Sequence, residues 1–228
     1  MSRVRLYYIG QHADPKPVQL SKALITQWIT ELPLTKQAFI QRLLNDSDRI
    51  SSLLGLRLLK QCAQDENVPD FKLSDIQYPD SGKPVWQSKT NHKFDFNISH
   101  SDNLVVVAAS KKVKVGVDVE KLRELKRLNF KMVMLPEELE KIRETPGLFF
   151  DMWSKKEAVV KAADTAGIAR MRDVMLKNDK ASLDERQWHL KSVAKQMNLD
   201  NQFSVHLATS APVSDLIIKH VLLDELIK

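Results

Sequence analysis

No stretch of the 228-residue chain stays apolar long enough to cross a bilayer. The longest uninterrupted run, residues 104–109, falls far short of the roughly 20 residues a spanning helix needs, so no membrane partner is expected. The N-terminal residues 1–9 carry Arg3 and Arg5 and too short an apolar stretch for a secretion signal, and 4–9 reads as an opening strand. Cysteine is nearly absent. Cys62 stands alone, which excludes an internal disulfide and points to a reducing, cytoplasmic setting. No low-complexity tract and no Gly/Ser linker divides the chain. Acidic residues are outnumbered, 29 against 35 Lys and Arg, leaving a formal charge of +6. Such a surface draws anions, whether nucleic acid, lipid, phosphorylated small molecule or acidic protein. A helix-turn-helix pattern, a zinc ligand set and interleaved surface aromatics are all missing, so a nucleic-acid partner is not expected.

What is present has the order strand, helices, strands, helices, strands, which predicts an α+β fold. Leu24, Ile25, Trp28 and Ile29 recur at helical spacing and Pro33 ends that helix. A second helix is predicted over 35–45, and a third from an N-cap at Asp48 to about Gln64. Asp80-Ser81-Gly82-Lys83-Pro84 is a turn by composition. Strands over 94–99, 104–110 and 113–119 follow, with turns at Asn103 and at Lys111-Lys112-Val113-Lys114, and suggest an antiparallel meander. Pro136 opens a helix to about Glu144. A longer helix over 149–166 is expected to close on Gly167. Strand candidates at 174–177, 188–193, 203–209 and 216–222 complete the chain.

Two short segments carry the chemistry. In Val115-Gly116-Val117-Asp118-Val119-Glu120, strand alternation puts Asp118 and Glu120 on one face and the valines on the other. Two carboxylates so close resist ionisation unless a positive charge sits between them, and a hard divalent cation such as Mg²⁺ serves that purpose. Gly116 leaves the same face bare, as though for a ligand approaching the backbone. In Trp153-Ser154-Lys155-Lys156-Glu157-Ala158-Val159-Val160-Lys161, Glu157 and Lys161 are i and i+4 on a helix and share a face with Trp153. Alone, each pair has a bland reading: a solvated strand end and a surface ion pair. Ser99 and His100, in Phe96-Asn97-Ile98-Ser99-His100-Ser101, are either phosphate donors or members of a polar turn, and Lys83 is open in the same way.

Taken together and in this order, FNISHS, GVDVE and WSKKEAVVK resemble the 4′-phosphopantetheinyl transferases, specifically the larger single-chain type related to the surfactin-synthetase-activating enzyme. The resemblance is strong from Gly82 to about Gly167 and looser towards the N-terminal strand and Asp48-Arg49. It implies two similar α+β halves related by a pseudo-two-fold axis, each with helices on a small antiparallel sheet, here residues 1–120 and 121–228. It implies transfer of the phosphopantetheine arm of coenzyme A to a serine of an apo acyl or peptidyl carrier protein, releasing adenosine 3′,5′-bisphosphate. By matched position, Asp118, Glu120 and Glu157 would hold Mg²⁺, with Asp118, Glu157 and Lys161 catalytic. Lys83, Ser99, His100, Lys161 and, less closely, Arg49 would contact coenzyme A. The nucleophile would come from the carrier, so no Ser-His-Asp or Cys-His set is needed, and a monomer suffices. The alternative is a non-catalytic relative that binds coenzyme A or a carrier protein without transfer.

Overall fold

The computed structural model describes residues 2–10, 18–80, 82–125, 130–165 and 167–227. The chain opens with β1 (Arg3–Ile9), then helices α1 (Lys22–Thr30), α2 (Leu34–Arg42) and α3 (Asp46–Asp65). Ser21 caps α1, its hydroxyl accepting from the Leu24 amide at 3.2 Å. α3 begins before Asp48: Asn45 is its N-cap, and Asp46 and Asp48 both lie in the first turn, where carboxylates suit the helix dipole. A two-residue pair, β2 (Ile76–Gln77) and β3 (Val85–Trp86), leads to β4 (Asp95–Ser101), β5 (Leu104–Ser110) and β6 (Val115–Lys121). Next come α4 (Pro136–Glu144), with Pro136 at its first turn, and α5 (Leu148–Ala163). The rest is β7 (Met175–Lys177), β8 (Lys180–Leu183), β9 (Arg186–Ser192), β10 (Phe203–Thr209), β11 (Asp215–His220) and a short α6 (Leu223–Leu226). No helix among the described residues is long and apolar enough to cross a membrane.

The fold is α+β, built in four layers. One sheet has the order β11-β1-β5-β4 and the other β6-β10-β9-β8-β7. Alternation along the strands assigns the cores. Tyr7, Ile9, Val105, Val107 and Ala109 face α1 and α3, and Val4, Leu6, Val106 and Ala108 face the second sheet. Val115, Val117 and Val119 enter that inter-sheet core with Val205 and Leu207. The outer face of the second sheet packs on α4 and α5 through Trp188, Leu190, Ala158, Val159 and Ala162.

Two expectations are corrected here. β4, β5 and β6 do not form a meander: β6 leaves β5 and pairs antiparallel with β10 in the other sheet, Asp118 opposite His206 and Glu120 opposite Ser204. The lysine-rich turn is therefore a crossing between layers. In the first sheet, β11 lies parallel to β1, so that sheet is mixed rather than purely antiparallel.

β4 and β6 are the facing edges of the two sheets, and side chains join them. Asp95 Oδ1, Asn97 Oδ1, Ser99 Oγ and Ser101 Oγ accept from the amides of Val115, Val117, Val119 and Lys121, at 2.8, 2.9, 3.4 and 3.0 Å. Alternate residues of one strand thus satisfy alternate amides of the other, replacing a backbone ladder.

Candidate active site

The outward face of β6 carries Gly116, Asp118 and Glu120 against α5. A Cβ at Gly116 would fall well inside contact distance of Ala158 O and Ala162 N and 2.9 Å from Ala162 Cβ. What approaches this glycine is the α5 backbone, not a ligand. That close packing sets α5 directly over the strand acids and brings Glu157 and Lys161 to them.

Carboxylate oxygens of Asp118, Glu120 and Glu157 lie within 4.8 Å of one another. Lys161 Nζ stands 2.7 Å from Asp118 Oδ1, 3.1 Å from Glu157 Oε1 and 3.1 Å from Ser99 Oγ. Ser99 Oγ also sits 3.0 Å from Asp118 Oδ1. Asp118 is 2% exposed, and its second oxygen, Oδ2, is buried with no partner among the described residues. Burial, ahead of the counteracting charge of Lys161, pushes the Asp118 carboxyl up to about 6. Burial and the charges of Asp118 and Glu157 push Glu120 up to about 7. Burial opposes the charge of Lys161, but Asp118 and Glu157 outweigh it and raise the ammonium pKa. Three hard oxygen donors, mutually repelling, with a buried oxygen left over, fit a small divalent cation.

A cleft of about 440 Å³ opens beside this cluster, lined by Lys83, Asn97, Glu157, Lys161 and Asp164 among others. A second, of about 490 Å³, shares Pro84 and Asn97 with it and is lined by Lys36, Phe39, Tyr78, Phe96 and His100. The structure thus brings Asp118, Glu120, Glu157, Lys161 and Ser99 into one cluster, and puts His100 in the adjoining cleft. Desolvation lowers the His100 pKa, with Asp48 pulling the other way. Lys83 lines the first cleft, but its ammonium is held by Asp95 and, at 3.0 Å, by Val115 O. Arg49 lines neither cleft: it bonds Asp46 and the Leu43 carbonyl, tying α2 to α3.

The helix end differs from expectation. α5 stops at Ala163, and Asp164 takes the left-handed cap at φ 59°, a conformation its short polar side chain tolerates. The Asp164 carboxylate then accepts the Lys83 amide at 2.6 Å, tying the Gly82-Lys83 turn to the helix end. Gly167 lies beyond the cap at φ 97°, and Ala166 falls outside the described residues.

Four contributors escaped sequence reasoning. Asn97 shares a strand face with Ser99, a signal that period-two reading could have used. Lys36 comes from α2 and Tyr78 from the loop after β2, both far from the motifs in sequence, and Asp164 reads as helix interior. A Ser-His-Asp grouping does exist: Ser154 Oγ is 2.8 Å from His206 Nδ1, and His206 Nε2 is 3.4 Å from Asp151. Ser154 is fully buried, however, and its hydroxyl also donates to Phe150 O at 2.7 Å. It braces α5 on β10 and is closed to any substrate.

Residues 16–112 match the family model described as 4′-phosphopantetheinyl transferase, N-terminal. Residues 114–215 match that of the 4′-phosphopantetheinyl transferase superfamily. No curated protein matches the chain. The junction of the two matches falls just before β6, the strand that carries the acid pair. With residues 16–112 and 114–215 both matched to one family, and the whole acid cluster lying within the second match, the chain belongs to the 4′-phosphopantetheinyl transferase superfamily.

Proposed function

We propose that the protein transfers the 4′-phosphopantetheine arm of coenzyme A to the serine of an apo acyl or peptidyl carrier protein, with Mg²⁺, releasing adenosine 3′,5′-bisphosphate. The observation that carries this reading is the cluster of Asp118, Glu120 and Glu157 beside Lys161 at the wall of a cleft. Asp118, Glu120 and Glu157 would hold the cation, which supplies Lewis-acid polarisation of the pyrophosphate.

The remaining work falls to the protein's own groups. Displacement at phosphorus needs positioning and charge neutralisation more than covalent chemistry. Lys161, whose raised pKa keeps it charged, stabilises negative charge on the departing bisphosphate. Glu157 lines the cleft and accepts the proton of the incoming serine hydroxyl, directly or through a water. Ser99 orients Asp118 and Lys161 together. The second cleft suits the nucleotide end of coenzyme A, with Phe39, Tyr78 and Phe96 as apolar walls and Lys36 and His100 as partners for phosphate. Lys83, at the wall of the first cleft, serves the phosphates only by exchanging its hold on Asp95, and Arg49 only by leaving Asp46. One chain supplies every group, so a monomer suffices.

The test is to incubate the protein with coenzyme A, Mg²⁺ and an apo carrier protein and to weigh the carrier. A gain of the phosphopantetheine mass is expected. Binding of coenzyme A with no gain for any carrier would refute transfer.

A further inference from the structure

Glu157 is held at both of its oxygens. Lys161 Nζ stands 3.1 Å from Oε1, and the Trp153 indole N–H donates to Oε2 at 2.8 Å. The three residues follow one another at i, i+4 and i+8 along one face of α5. A glutamate has several rotatable bonds, and a ligand that must order it loses affinity in doing so. Here the ordering is done in advance. Trp86 and Trp188, by contrast, bury their indole nitrogens with no partner among the described residues.

The indole is itself fixed. Its ring centroid lies 5.5 Å from that of Phe149 and, in an edge-on arrangement, 6.4 Å from that of Phe130, which packs tilted against Phe149 at 4.1 Å. Phe130 belongs to the segment that leads into α4, and that segment is pinned from beneath by Lys156. The Lys156 ammonium, fully buried, pairs with Glu138 Oε2 at 2.6 Å and donates to Val133 O at 3.4 Å. A buried ion pair is a poor source of stability but a directional one. Neighbours in sequence, Lys156 and Glu157 thus point about 100° apart around α5, one anchoring the segment at 130–138 and the other receiving the result through Phe130 and Trp153.

We infer that Trp153 is a positioning residue, its indole N–H orienting the Glu157 carboxylate toward the divalent cation of the proposed reaction. The inference rests on the cation reading above. Trp153→Phe keeps an aromatic ring on Phe149 and removes only the donor. Hydrogen-bond partners of ligating carboxylates are worth about 10- to 100-fold in metal affinity. Mn²⁺ binding, followed by electron paramagnetic resonance without coenzyme A or carrier, should weaken by that factor in Trp153→Phe. An affinity within about twofold of wild type would overturn the inference. A second comparison needs no metal: the Trp153 indole proton, identified by its disappearance in Trp153→Phe, should shift in the ¹⁵N–¹H spectrum of Glu157→Gln. An unmoved resonance would likewise overturn it. If the wild-type protein holds no Mn²⁺, the cation reading fails and the metal role of Trp153 fails with it, while the indole shift still decides whether the bond orients Glu157.

Discussion

Gly116→Ala tests whether the site depends on how closely α5 lies on β6. The added methyl would overlap Ala158 O and Ala162 N, and would sit 2.9 Å from Ala162 Cβ, where carbon atoms prefer about 3.5–4.0 Å. Nothing in that set is a flexible side-chain tip, so helix and strand must separate by about 1 Å. Overpacking of this kind costs about 1–3 kcal/mol. At about 2–4 °C per kcal/mol for a chain of this size, the melting temperature should fall by roughly 2–12 °C. The larger effect is on geometry, because Asp118 and Glu120 ride on the strand while Glu157 and Lys161 ride on the helix. A misplacement of about 1 Å between reacting groups can cost on the order of 100-fold in rate. Transfer would be measured by carrier mass at saturating coenzyme A, Mg²⁺ and carrier, with melting followed in the same buffer. A folded variant with wild-type turnover would refute the claim that this contact sets the site.

Asp118→Asn should abolish transfer without lowering the melting temperature, since it removes a carboxyl that burial makes costly to ionise; near-wild-type loading would contradict its assignment. Without metal, the folded protein keeps protons on Asp118 and Glu120 up to about pH 6 and 7, whereas the unfolded chain releases them near their ordinary values of 3.8 and 4.5. The native state therefore binds more protons between about pH 4 and 7, and stability falls as pH rises through that window. Mg²⁺ should accordingly raise the melting temperature more at pH 8 than at pH 5.5, and equal shifts would speak against this ligand set. Lys156→Ala, which leaves Glu138 buried and uncompensated, should destabilise by about 3–5 kcal/mol in denaturant titration, and Lys156→Met with Glu138→Gln by much less; equal losses would assign the effect to packing alone. If the proposed carrier presents an acidic surface, its affinity should weaken as salt is raised, because a +6 chain gains from long-range attraction to it; an affinity independent of salt would remove that contribution.

The acid pair and the acid–lysine pair were legible because each depends on one local period. Two along β6 puts Asp118 and Glu120 on one face, and i to i+4 on α5 does the same for Glu157 and Lys161. What local pattern does not carry is partner choice. The residues of β6 alternate as well for β5, which precedes it, as for β10, far along the chain, and only the layered core decides between them. β8 went unseen because four residues with Ala181 and Leu183 inward are too short to separate from a turn. At the end of α5, Gly167 looked like the stronger stop signal. Asp164 takes that place because its carboxylate has a backbone partner at Lys83 that the local sequence does not announce.

The side-chain rungs between β4 and β6 bear on which substitutions the chain can accept. A backbone ladder is indifferent to residue type, but one made of Asp95, Asn97, Ser99 and Ser101 is written in the sequence itself. Each odd position from 95 to 101 needs an oxygen on a short arm, while the even positions between them are free of that demand. A saturation scan should therefore show intolerance to apolar replacements that alternates residue by residue, with Phe96 accepting apolar substitutes and its odd-numbered neighbours refusing them. The segment at residues 95–101 then reads as a hinge line, with the same four side chains setting how far the two sheets can part.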